Sequence, residues 1–166
     1  MKEYFDVLDK NRNKLGYTKE RGEKLLDNEY NMGVENYIIC DNKLLMTKRS
    51  INKSHPNMWE IPGGCSQKGE ESFDTLKREM KEEINLNINY KNTKLIDTKL
   101  YKKQFIDIYQ TKTNININNI KLQKEEVSEI KLINKDEFNK LITDNKIVPS
   151  VLERYNYIKD KLDLNW

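Results

Sequence analysis

Three of the chain's six glycines (Gly63, Gly64, Gly69) and two of its three prolines (Pro56, Pro62) fall between residues 56 and 69, in a sequence with no alanine. Glycine tolerates left-handed backbone and close backbone approach, and a chain so short of it places each one where the backbone requires it. The crowding marks one tightly specified loop and points to a site there. Around it, 166 residues suffice to bury a core without disulfide or metal staples, and they suit one domain. Charged residues make up 34 % and apolar ones 36 %, a polar but not disorder-like balance.

Several function classes drop out. No apolar run approaches the ~18–20 residues of a membrane-spanning helix. The N-terminal MKEYFDVLDK carries acids among its apolar residues, so no secretory leader is expected from it. Cys40 and Cys65 make neither a disulfide framework nor a paired metal motif. A net charge of +3, with lysines spread among nearly as many acids, gives no strong nucleic-acid signal. These features predict a soluble, cytoplasmic protein with no membrane partner. Oligomerisation stays open, because nothing marks an interface.

The spacing predicts strands at 4–8 and around 15–18, joined by the turn-forming run 9–13, and a polar loop over 19–33. Val34–Cys40 and Lys43–Lys48 read as strands across a two-residue turn, Asp41–Asn42. A punctuated loop, 50–56, precedes the apolar lead-in Met58–Ile61. Ser72 to Ile84 is the clearest helix, with Ser72 as N-cap and Phe73, Leu76, Met80 and Ile84 at helical spacing. Residues 95–100 and 105–111 alternate like an antiparallel pair, and 114–119 is a polar loop or edge strand. A strand at 127–133, a helix at 136–143 and a closing helix at 151–162, introduced by Pro149–Ser150, complete the chain. Strand pairs mixed with a few helices give an α+β layer architecture.

The densest chemistry is GCSQKGEESFDTLKREMKEEINL, residues 64–86. At ~100° per residue, Glu79, Glu82 and Glu83 lie within roughly 100° of one another on a helical wheel, beside the apolar stripe. Like charges so spaced destabilise an isolated helix. One Arg78 cannot balance three acids, so a further cation is the natural compensation. Oxygen donors without nearby His or Cys suit Mg²⁺ or Mn²⁺ better than zinc. A merely solvated acidic face is the competing reading. The preceding loop argues against it: Gly63 and Gly64 permit close approach, Gly69 supplies a sharp turn, and Glu70 sits at the positive end of the helix.

This stretch resembles the Nudix box, G-x5-E-x7-R-E-U-x-E-E-x-G-U, where U is a bulky aliphatic residue. Gly64, Glu70, Arg78, Glu79, Met80, Glu82, Glu83 and Leu86 match at the required spacing. Asn85 stands where the pattern has glycine, a position just past the helix end where asparagine is the next most tolerant residue. The lead-in MWEIPGG is also similar to the family's approach to the box. The resemblance implies a three-layer α/β/α sandwich around a mixed β-sheet. It makes 1–166 a single domain, with 1–30 an N-terminal strand extension and 149–166 a closing helix.

It further implies metal-dependent hydrolysis of a diphosphate linkage, in a nucleoside diphosphate–X type of small molecule, by water attack at phosphorus. Carried onto this chain, Glu79, Glu82 and Glu83 hold Mg²⁺ or Mn²⁺ with the Gly63 carbonyl, and Glu70 joins the metal network. Arg78 orients the glutamates, a rigid-fork role. The water-activating base lies between Glu83 and Glu126, the latter with Glu125 and Glu129 as rivals. Phosphate contacts are expected from Lys48, Arg49 and Lys53, with Arg49 favoured because it closes a strand aimed at the box. His55 shapes its loop, Cys65 is a bystander, and Trp59 is an anchor.

Two alternatives remain. FDVLDKNRNKLGYTKERG and KLLMTKRSINKSHPNMW resemble the superfamily branch that includes isopentenyl-diphosphate isomerase. That isomerase carries a reactive cysteine at the position of Gly63 and lacks the REMKEE arrangement, whereas this chain has glycine and a full box. A non-catalytic, ligand-sensing Nudix domain is the other, but such domains usually lose box glutamates and all are present here.

Overall fold

The computed structural model describes residues 2–166. Strands β1 (Tyr4–Leu8) and β2 (Lys14–Glu20) form a hairpin outside the main sheet. Its turn residue Arg12 is left-handed (φ 69°) and reaches Asp107 Oδ2 at 2.6 Å and Thr98 Oγ1 at 3.1 Å. The hairpin also braces the glycine-rich loop. Lys68 donates its N–H to the Tyr4 carbonyl (2.7 Å), and Gly69 donates to the Asp6 carboxylate (2.9 Å).

The main sheet contains β3 (Asn31–Cys40), β4 (Lys43–Arg49), β5 (Trp59–Glu60), β6 (Gly63–Cys65), β7 (Thr93–Tyr101), β8 (Gln104–Lys112) and β9 (Val127–Ile133). It is mixed: β3 runs parallel to β8, and the other pairings are antiparallel. Asp41 and Asn42 both have positive φ (48° and 57°), the two-residue turn whose twist suits a hairpin. β3 and β4 pair only beside that turn and then part. The segment 59–65 fills the gap, with β5 on β4 and β6 on β3. This split delivers the glycine pair and its flanking side chains to one end of the sheet.

Alternation along β3 and β4 assigns side chains to two apolar layers. Val34, Ile38 and Leu45 pack with Leu76, Met80 and Ile84 of α1 (Ser72–Ile84). Tyr37, Leu44 and Met46 pack with Phe138 of α2 (Lys135–Thr143) and with Val151 and Ile158 of α3 (Pro149–Ile158). One helix on one face and two on the other give the α/β/α sandwich expected. No helix among the described residues is long and apolar enough to cross a membrane.

Some boundaries differ from the sequence reading. β3 begins at Asn31, because Asn31–Gly33 find partners in Gln104–Ile106 of β8. Ser72 is the first helical residue, not the cap: Glu71 is the N-cap, without a side-chain bond, and Ser72 Oγ pairs with the Tyr109 hydroxyl at 2.8 Å. The closing helix starts at Pro149, where a missing N–H costs nothing, and ends at Ile158. A 3-10 turn, Lys159–Lys161, follows it. Residues 114–119 are a loop holding one 3-10 turn.

Asn85 occupies the left-handed position expected for it (φ 50°, ψ 34°). Its N–H donates to the Lys81 carbonyl and that of Leu86 to the Met80 carbonyl, closing the helix end. Glycine there removes the Cβ penalty, so Asn85→Gly is expected to raise the melting temperature by about 1–3 °C. A differential scan of the two proteins checks it, and a lower value would mean that the asparagine side chain itself supports this end.

Candidate active site

The acids of α1 do not face solvent as a group. Glu83 is 2 % exposed and Glu79 8 %, while the Glu82 side chain is 49 % exposed on the rim. Arg78 ties the helix to the loop before it. Its Nε and Nη2 donate to the two oxygens of Glu70 at 2.6 and 3.0 Å, and Nη1 donates to Glu79 (2.9 Å) and Glu82 (3.0 Å). Nη2 also reaches the Cys65 carbonyl at 3.0 Å. Burial disfavours charge on both groups, yet their contact prevails. Arg78 is held above its ordinary pKa and Glu70 below its own, the latter also receiving the Gln67 N–H and the Thr75 hydroxyl.

A second cation, Lys53, comes from the loop 50–58. Its Nζ lies 2.9 Å from Glu126, 3.5 Å from Glu83 and 3.5 Å from Glu60. Burial lowers its pKa, but these carboxylates outweigh that and raise it. Arg49 ion-pairs with Glu60 and donates to the Ser54 carbonyl at 2.5 Å and the Ser54 hydroxyl at 3.0 Å. Glu83 also accepts the Gly63 N–H at 3.3 Å. Its pKa is pushed up to about 8, first by burial and then by Glu79, Glu60 and Glu126, with Lys53 opposing.

Six carboxylates thus share three cations: Glu60, Glu70, Glu79, Glu82, Glu83 and Glu126 against Arg49, Lys53 and Arg78. The deficit of positive charge and the all-oxygen donor set fit a hard divalent cation. Among the described residues, no three acidic, imidazole or thiol groups close on one point as ligands of a single ion. The carboxylates are instead spread over Arg78 and Lys53. A cleft of about 360 Å³ opens beside them, lined by Glu35, Arg49, Lys53, Glu60, Gly63 and Arg154, among others.

Gly63 and Gly64 earn their positions differently. A Cβ on Gly63 would stand 2.1 Å from the Val34 carbonyl oxygen, so β6 could not close on β3. A Cβ on Gly64 would stand 2.1 Å from Glu79 Oε1, the movable end of a side chain. Gly63→Ala is expected to lower the melting temperature by about 5 °C or more, because the backbone must give way. Gly64→Ala is expected to fold but to displace Glu79 and lose most activity. Melting curves and turnover on both variants check this, and a fully active Gly64→Ala would remove Glu79 from the working set.

The structure brings Glu70, Arg78, Glu79, Glu82, Glu83, Gly63, Arg49, Lys53 and Glu126 together. Of the rival acids, Glu126 alone reaches the cluster. Glu129 pairs with Lys48 and Lys131, and Glu125 is exposed. Lys48 does not join the cluster and pairs with Glu129 instead. Successive residues of a strand point to opposite faces, so Lys48 goes to Glu129 (3.3 Å) and to the Trp59 ring while Arg49 turns to the cleft. Trp59 is buried as an anchor, and Cys65 Sγ accepts a bond from Gln104.

Sequence reasoning missed Glu60 and the buried pair of Glu35 with Arg154 (2.8 Å from Arg154 Nε). Burial raises the pKa of Glu35 despite Arg154. Both acids interrupt apolar runs, WEIP and VENYII, and that interruption was the available signal.

The NUDIX domain family matches residues 31–155. The chain belongs to this family. An uncharacterized Nudix hydrolase of Listeria monocytogenes is 30 % identical over 150 residues, covering 89 % of each chain. Nudix hydrolase 3 of Arabidopsis thaliana is 31 % identical over 157 residues, covering 85 % of this chain and 20 % of the plant protein. Among solved structures, DR0079 of Deinococcus radiodurans superposes with a TM-score of 0.79 at 17 % identity, covering 94 % of this chain and 99 % of that one. A bifunctional NMN adenylyltransferase/ADP ribose pyrophosphatase of Francisella tularensis, solved with AMP and a manganese ion, gives 0.64 at 15 % identity, covering 80 % and 42 %. This Nudix protein is a pyrophosphohydrolase of a family that hydrolyses nucleoside diphosphate-linked substrates.

Proposed function

We propose that this Nudix protein hydrolyses the diphosphate linkage of a small, nucleotide-like molecule by metal-dependent attack of water at phosphorus, acting in the cytoplasm as a single domain. The observation that carries the reading is the set of six carboxylates sharing three cations beside the Gly63 loop and an open cleft. Glu79, Glu82 and Glu83, with the Gly63 carbonyl, would hold Mg²⁺ or Mn²⁺, and Glu70 supports them through Arg78. When bound, the cation neutralises the diphosphate so that a nucleophile can approach. Arg78 fixes the glutamates through its planar fork. Glu83 or Glu126 takes the proton from the attacking water. Arg49 and Lys53 grip the phosphate oxygens from the cleft side.

The test is a panel of nucleoside triphosphates, sugar nucleotides, dinucleotides and capped RNA with Mg²⁺ or Mn²⁺, each read with and without added phosphatase. Metal-dependent release from at least one compound is expected, with the added phosphatase separating diphosphate from monoester products. A double-bond shift in isopentenyl diphosphate without phosphate release would overturn the reading in favour of the isomerase. Tight binding of a panel compound without turnover under either metal would overturn it in favour of a sensor.

A further inference from the structure

Glu60 plays no part in the box and lies outside it in sequence, yet it bridges two of the cluster's three cations. It is 9 % exposed, on β5, the strand that fills the gap between β3 and β4. One of its oxygens takes Arg49, and the other lies 3.5 Å from Lys53. One carboxylate thereby bridges two like charges at the cleft and offsets part of their mutual repulsion. The Arg49 guanidinium is fixed on its far side by two bonds to Ser54, so its orientation is set from both ends. Lys53 is held on its other side by Glu126 at 2.9 Å and Glu83 at 3.5 Å. Glu60 is what competes with those acids for the ammonium and keeps it beside Arg49.

We infer that Glu60 is a positioning residue for substrate binding: it holds Arg49 and Lys53 together as a two-cation grip for the diphosphate. The inference rests on the reading of Arg49 and Lys53 as phosphate contacts. A dianionic group meeting two preset cations avoids the ordering cost of assembling them. Both Glu60 oxygens are engaged by the cations, so it acts through them and not on the reacting atoms. Its loss lets Lys53 fall wholly to Glu83 and Glu126, while Arg49 keeps only its Ser54 bonds.

The test is calorimetric binding of magnesium pyrophosphate to the full chain, with melting temperature measured alongside. Glu60→Gln is expected to weaken binding about tenfold, and Glu60→Asp, which restores the charge, to recover it to within about threefold. Recovery by aspartate separates the charge-holding role from mere filling of the strand, which glutamine already satisfies. If Glu60→Gln binds as the wild type while Arg49→Ala and Lys53→Ala bind weakly, the positioning role is overturned and the phosphate contacts stand. If Arg49→Ala and Lys53→Ala bind as the wild type, the underlying contacts are wrong and the inference falls with them.

Discussion

Replacing Glu83 with glutamine is expected to lower kcat by about 10³-fold while leaving the fold as stable as the wild type, or more so. The two halves of this expectation have one cause. Glu83 is 2 % exposed, crowded by Glu79, Glu60 and Glu126, and its negative charge is disfavoured where it stands. Glutamine keeps the shape and still accepts the Gly63 N–H, so folding loses little. Chemistry loses a carboxylate that the proposed mechanism uses as metal ligand and as candidate base. A melting temperature within about 3 °C of wild type, or above it, would accompany the collapse in turnover. A Glu83→Gln protein with near-normal kcat would show the metal site to be misplaced.

The second large effect belongs to Arg78. Its five bonds join Glu70 and the Cys65 carbonyl of the loop to Glu79 and Glu82 of the helix. Removing one partner of a shielded charge network costs about 3 kcal/mol, since the carboxylates left behind lose their counter-charge. For a chain of this size that is a fall of about 6–12 °C in melting temperature for Arg78→Ala. Turnover is expected to drop by about 10²-fold or more, because Glu79 loses its orientation. Arg78→Lys keeps the charge but not the fork, and falls between. Thermal melts and steady-state rates on the pair check this. Equal behaviour of lysine and arginine would mean that charge alone matters.

The legible parts of this fold were those with a long period or a forced conformation. Helix α1 carries thirteen residues of apolar spacing and the REMKEE part of the box, and Asn85 takes the left-handed angle that its place in the pattern demands. Asp41–Asn42 signals its hairpin by composition alone. Strands β5 and β6 have two and three residues, too few to show any alternation, so the segment read only as an apolar lead-in and a close approach, not as strands between β3 and β4. Ser72 had the right chemistry for a cap but found a better partner in Tyr109, a tertiary contact.

The site divides the same way. The box acids and Arg78 lie within one short stretch and were readable by spacing. Glu35 and Arg154 are 119 residues apart, and no local pattern pairs them. Glu60 was visible only as an acid inside an apolar run. Lys48 and Arg49 are adjacent and alike in charge. Strand alternation alone separates them, sending Arg49 to the cleft and Lys48 to Glu129.

The central claim is that water attacks phosphorus at the carboxylate cluster, and isotope incorporation tests it most directly. A panel compound that the protein turns over is hydrolysed with Mg²⁺ in ¹⁸O-labelled water, and the products are weighed by mass spectrometry. The account predicts one labelled oxygen in a phosphoryl product of each turnover, and none when Glu83→Gln replaces the wild type over the same interval. Product formation with no label in any phosphoryl group would contradict it.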